Sequence, residues 1–168
     1  MSDELMDASH DASVEDAPAP PLKVERPRDE FGRPLPMGSE NRLHLEPFEL
    51  LPLPEVEALA IEHFNAGRYF GAHEAWETAW RLERGEPDEE FFKGLSQIGA
   101  GYTHYLRGNT HGARALLERG LPRIEPYGPH HRGVDVAALL ATSRAHRDAF
   151  TEADRSKSAL PSIDPPRA

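Results

Sequence analysis

Both tryptophans of the chain fall within Tyr69–Arg81, which reads Tyr-Phe-Gly-Ala-His-Glu-Ala-Trp-Glu-Thr-Ala-Trp-Arg. At about 100° of turn per residue, Tyr69, Phe70, Trp76, Glu77 and Trp80 all lie within roughly 60° of His73 on a helix. So much aromatic surface on one side must be covered, because each Å² left in water forfeits about 25 cal/mol. The spacing therefore predicts an amphipathic helix whose aromatic stripe faces the core. His73 and Glu77 fall inside that stripe at i and i+4, where side chains on successive turns converge on one proton or one metal ion. A carboxylate placed under aromatic rings needs such a partner.

Helical periodicity continues on both sides. Before the stripe, a helix is expected from about Pro54 to Ala66 through Val56, Leu59, Ala60, His63 and Phe64, stopped by Gly67. The aromatic helix itself is expected to run to about Arg84, with Ala72, Ala75 and Ala79 as a small-residue flank. Asp88 is the expected N-cap of a long third helix to about Arg107, with Phe91, Phe92, Leu95, Ile98, Tyr102, Tyr105 and Leu106 on its apolar face. Its other stripe holds Lys93, Gly94, Gln97, Ala100, Gly101 and His104, and glycines inside a helix imply close approach by something. Thr110–Arg123 and Val134–Phe150 complete the set, and no segment alternates with period two for the length of a strand. The expected fold is all-α, a compact bundle of about five helices built from antiparallel hairpins. Residues 1–42 are expected as a disordered acidic tail, 43–151 as the helical domain and 152–168 as a disordered end, because prolines and mixed charges there bury too little surface to offset chain entropy.

Gly67, Gly71, Ala72 and Glu77 recur as Gly108, Gly112, Ala113 and Glu118, each 41 positions later, and Phe64 recurs as Tyr105. Two hairpins of similar build, in the manner of tetratricopeptide-like arrays, would produce this echo. His73 has no counterpart, since Arg114 stands at that place.

Composition removes several classes. Without cysteine there is no disulfide, thiolate metal site or cysteine nucleophile, so a metal would be held by imidazole and carboxylate. No run approaches the ~18 apolar residues of a membrane span and the beginning is acidic, so a cytoplasmic protein without membrane partners is expected. The formal charge of -10, with no basic cluster, argues against nucleic acid. Neither a glycine-rich phosphate loop nor a nucleophile-elbow serine is present, and no organic cofactor is expected.

Three readings follow. In the first, His73, Glu77 and His104 hold a divalent ion, zinc, iron, manganese or nickel, with Glu74 or Gln97 positioning a water for hydrolysis of a small-molecule substrate. His-Glu-x-x-His would need histidine at 77, so this is not the zinc-protease motif. An equally open structural reading makes His73 and Glu77 a buried pair that fixes helix packing. In the second, the hairpins form a non-catalytic module binding a protein or peptide in a groove. In the third, Lys93 and the arginines of the last two helices take an anionic small molecule. His130-His131 is expected in a solvated loop.

Phe64-Asn65-x-Gly67-x-Tyr69-Phe70-x-Ala72-His73-Glu74-x3-Thr78-x-Trp80, then Phe92-Lys93-Gly94-Leu95-x-Gln97, then His104, Gly108-Asn109 and Gly112-Ala113, resembles the bacterial and archaeal family catalogued as domain of unknown function 309. The resemblance covers about residues 55–125, and its mark, His-x3-Glu-x2-Trp, is here His73, Glu77 and Trp80. It implies an all-helical domain with a metal-binding motif, of a kind labelled metal-dependent hydrolase.

Overall fold

Proline sets the first boundary. Pro52 and Pro54 keep the preceding chain extended, and with Pro54 in its first turn helix α1 spans Leu53–Asn65. The computed structural model describes residues 26–168; residues 1–25, the larger part of the expected acidic tail, lie outside the described residues. Helices α2 (Tyr69–Leu82), α3 (Glu89–Leu106), α4 (Thr110–Ile124) and α5 (Val136–Ser156) follow. Each packs on the next in chain order, giving an all-α bundle of antiparallel hairpins. Not expected were short 3-10 helices at Phe48–Leu50 and Glu125–Tyr127 and a small antiparallel ribbon of β1 (His130–His131) and β2 (Val134–Asp135) before α5. Helix α5 also runs six residues beyond Phe150, since Thr151–Ser156 contains no breaker and Ala153 is buried.

The turns of the two hairpins are built alike. Gly67 and Gly108 both take the left-handed conformation, at φ 77° and 78°, which ends α1 and α3 without a Cβ clash. In the first turn Arg68 N donates to His63 O (2.8 Å), and in the second Asn109 N donates to His104 O (2.9 Å). The echo extends to side chains. Arg68 Nε donates to His63 Nδ1 (2.8 Å), and Asn109 Nδ2 lies 3.0 Å from His104 Nδ1. A Cβ on Gly71 would stand 2.9 Å from the His63 ring, and one on Gly112 would stand 2.8 Å from the His104 ring. His63 and His104 are themselves 41 positions apart, a pairing that the glycines alone did not reveal.

Glycine also fixes how closely the helices cross. A Cβ on Gly94 would meet Gly120 O at 2.9 Å, and one on Gly120 would meet Gly94 O at 2.7 Å. What approaches the glycine stripe of α3 is therefore helix α4. The core above it is aromatic, with Phe64, Trp76, Phe91, Phe92 and Tyr102 all buried. Phe64 of α1 meets Tyr102 of α3 (5.7 Å between rings), and Tyr102 meets His146 of α5 (5.7 Å), so the odd-numbered helices are joined in one row. Tyr102 donates to Ser143 Oγ (2.9 Å) and lies 2.8 Å from His146 Nδ1, which satisfies its buried hydroxyl.

The flanking segments also make contacts. Within the described part of the expected tail, Asp29 Oδ1 accepts from the backbone N–H of Phe31 and of Arg33. Burial would raise the Asp29 carboxyl, but hydrogen bonds from Arg33 and Phe31 outweigh it and hold the carboxyl below its ordinary value. Arg107 donates to Phe31 O, and the guanidiniums of Arg28 and Arg107 sit over the Phe70 ring. Phe48, at the start of the 3-10 helix (Phe48–Leu50) in the lead-in, is buried against His63 of α1, whose Nε2 donates to Glu46 Oε2 (2.8 Å). The ribbon turn places Arg132 between Glu57 of α1 and Asp88. Asp88 makes no side-chain cap on α3, because its carboxylate also takes His131 (2.8 Å). His131 is thus held against Asp88 and the Phe91 ring rather than solvated, whereas His130 is exposed. No helix among the described residues is long and apolar enough to cross a membrane.

Candidate metal site

Helix α2 turns its smallest side chains inward. Ala72, Ala75 and Ala79 are fully buried beside Trp76, which lets α1 and α3 approach closely. The helix is consequently rotated from the orientation expected of it, and its aromatic stripe is split: Tyr69 and Trp76 are buried, while Phe70 and Trp80 are half-buried. His73 and Glu77 lie on the margin between core and solvent, with side chains 23% and 28% exposed. A carboxylate keeps part of its hydration there and avoids the penalty of full burial.

At that margin three ligands of two types converge, one imidazole and two carboxylates. One atom each of His73, Glu74 and Glu77 lies within 4.8 Å of the other two. His73 Nε2 stands 3.5 Å from Glu77 Oε2 and 3.7 Å from Glu74 Oε1. The other ring nitrogen is committed: Nδ1 donates to Ser96 O (3.0 Å) on α3, with Ser96 Oγ at 2.9 Å. A backbone carbonyl can only accept, so Nδ1 carries a proton toward Ser96, and Nε2 is the ring nitrogen turned to the two carboxylates. The second oxygen of Glu77 accepts from Arg81 Nη2, one turn further on.

Gly99 makes the contact with Ser96 possible. A Cβ there would stand 3.1 Å from His73 N and 3.2 Å from its Cα, so only glycine allows α3 so near this turn of α2. Ser96 and Gly99 were not among the residues expected at the site. Their signal is nonetheless in the sequence, where Ser96, Gly99 and Thr103 form a small-residue stripe at helical spacing.

The face of α3 turned toward α2 lies about 100° from the one expected, a rotation of one residue. Gln97 therefore points at α4, where its Oε1 accepts from Arg123 Nε (3.1 Å) and its Cβ would contact an added Cβ on Gly120. His104 stands outside the cluster, held at the α3–α4 turn by Asn109. Burial, then Arg107, then His73 push the His104 imidazole below its ordinary pKa, so that it favours the neutral form. Lys93 lies over the Trp80 ring at 5.2 Å, and Trp80 Nε1 donates to Glu89 Oε1 (3.4 Å). Of the expected site residues, His73, Glu77 and Glu74 are brought together; Gln97 and His104 are not.

The fold and this cluster define an all-helical hairpin protein with one imidazole and two carboxylates gathered on a half-exposed helix face. Residues 58–116, from within α1 to within α4, match the family model described as Domain of unknown function (DUF309). His73, Glu77 and Trp80 lie inside it as His-x3-Glu-x2-Trp. No curated protein and no solved structure matches the chain.

Proposed function

We propose that His73 Nε2, Glu74 and Glu77 hold one divalent cation and that the protein is a metal-dependent hydrolase of a small-molecule substrate. The observation that carries the reading is the donation from His73 Nδ1 to the Ser96 carbonyl, which leaves Nε2 directed at two acids. Imidazoles that ligate metals are oriented in this way, by a carbonyl or carboxylate on the far nitrogen. One imidazole with two carboxylates suits zinc, iron, manganese or nickel. Such an ion with open coordination positions lowers the pKa of bound water and polarises a carbonyl or phosphoryl oxygen.

The chain's own residues supply the rest. Ser96 orients His73, and Arg81 braces Glu77 from outside the cluster. Glu74 is the most exposed of the three acceptors, with its side chain 38% exposed, and is placed to take a proton at its carboxylate. Gln97, engaged by Arg123, supplies nothing here.

Elemental analysis of untagged protein, incubated with each ion and then gel-filtered, tests the proposal. About one ion per chain is expected for wild type and almost none for His73→Ala. Wild-type protein that retains no ion overturns the reading. If the ion binds but the loaded protein cleaves none of a panel of ester, amide and phosphate substrates, the ion site stands and the hydrolase assignment falls.

A further inference from the structure

The segment after α5 crosses the ends of the other odd-numbered helices. Lys157 takes the left-handed conformation (φ 51°) at the C-cap of α5, and Ser158 N donates to Ala153 O (3.1 Å), which turns the chain back. From Ser158 to Ala168 it forms no helix or strand. Tyr105, at the end of α3, donates its hydroxyl to Pro161 O (2.9 Å). Ala168 N donates to Asn65 Oδ1, at the end of α1 (2.9 Å). Pro166 is buried, and Ile163 and Ala168 pack against the core. The floor is aromatic, with Tyr105 stacked on Phe150 at 5.3 Å.

We propose that this groove across the ends of α1, α3 and α5 is a binding site for an extended, proline-bearing apolar peptide of a partner protein, and that residues 158–168 are its cis occupant. Both hydrogen bonds go from or to backbone atoms of the segment, so they select an extended chain rather than a particular side chain. Its few apolar anchors are Ile163, Pro166 and Ala168, while every residue ordered gives up conformational entropy. Docking is therefore weak enough to exchange. Pro161, Pro165 and Pro166 reduce that cost by keeping the chain extended beforehand, and a partner peptide of the same chemistry gains equally. Stacked helical hairpins expose such a surface along a row of helices, which here is the odd-numbered row. The groove is distinct from the His73 cluster on α2 and stands or falls separately.

The probe is a fluorescent synthetic peptide of residues 158–168, titrated against full-length wild type and full-length Ile163→Asp/Pro166→Asp protein. The double variant should release its own segment and bind the peptide at least about tenfold more tightly than wild type, because the apparent affinity scales with the fraction of open groove. Adding Tyr105→Phe and Asn65→Ala to that background should weaken binding again. A folded double variant that binds no peptide, or binds no better than wild type, overturns the proposal. A second measurement does not need the variant: wild-type protein at excess unlabelled peptide should show the Ser158 amide of its own displaced segment shifting in NMR spectra, and that amide remaining fixed overturns the proposal equally.

Discussion

At the scale of single residues the question is whether His73 and Glu77 serve an ion or hold two helices together. Their position decides what a substitution does. Glu77 keeps part of its hydration and is also paired with an exposed arginine, a class of contact worth roughly 0–1 kcal/mol. Glu77→Gln is therefore expected to change unfolding free energy by less than about 1 kcal/mol without metal while lowering ion affinity at least about tenfold. Urea melts and ion titration of the same preparation read both quantities. A loss near ~3 kcal/mol with ion affinity unchanged would show the architectural pair of the alternative reading. The sequence carried the cluster through residue spacing on one helix, which is local. It did not carry Ser96 or exclude Gln97, because those depend on how α3 is rotated against α2. The rotation is set by Gly99 and by the glycines that α4 covers, and is a property of three helices at once.

Among elements, the two hairpins form a natural comparison. Gly67 and Gly108 have nearly equal positive φ, and an added Cβ at either would touch nothing within 4 Å. Alanine at either site meets backbone strain alone, and each substitution should cost about 1–2 kcal/mol, equal between the two within error. Gly71→Ala and Gly112→Ala instead press a methyl into the imidazoles of His63 and His104, an overpacking loss of about 1–3 kcal/mol added to no backbone strain. Chemical denaturation of the four variants checks the pairing, and a large inequality between Gly67 and Gly108 would mean that their resemblance ends at the backbone. The helices themselves were readable from apolar periodicity and from glycine stops. The β1–β2 ribbon was not, because its strands are two residues long and are held by ion pairs from Arg132 and by the packing of His131, not by alternating side chains.

For the whole molecule, acid stability couples the core to the segment that crosses it. His146 is buried among Tyr102, Ser143 and Phe150, with Asp164 of that segment as the charged group facing it. Burial lowers its imidazole pKa more than Asp164 raises it, so the folded state binds this proton less readily than the unfolded chain. On acidification the unfolded chain is protonated first, near the ordinary histidine value of about 6.5, and stability then falls with pH. The contribution is complete above that value and is lost as pH drops through the depressed one. Thermal melts between pH 7.5 and 5 should therefore fall more steeply for wild type than for His146→Gln, whose side chain can still meet the Tyr102 hydroxyl but cannot titrate. Parallel slopes would mean that the buried imidazole carries no acid sensitivity. Asp164→Asn tests the opposing influence: without that carboxylate the His146 pKa falls further, and the loss of stability on acidification grows.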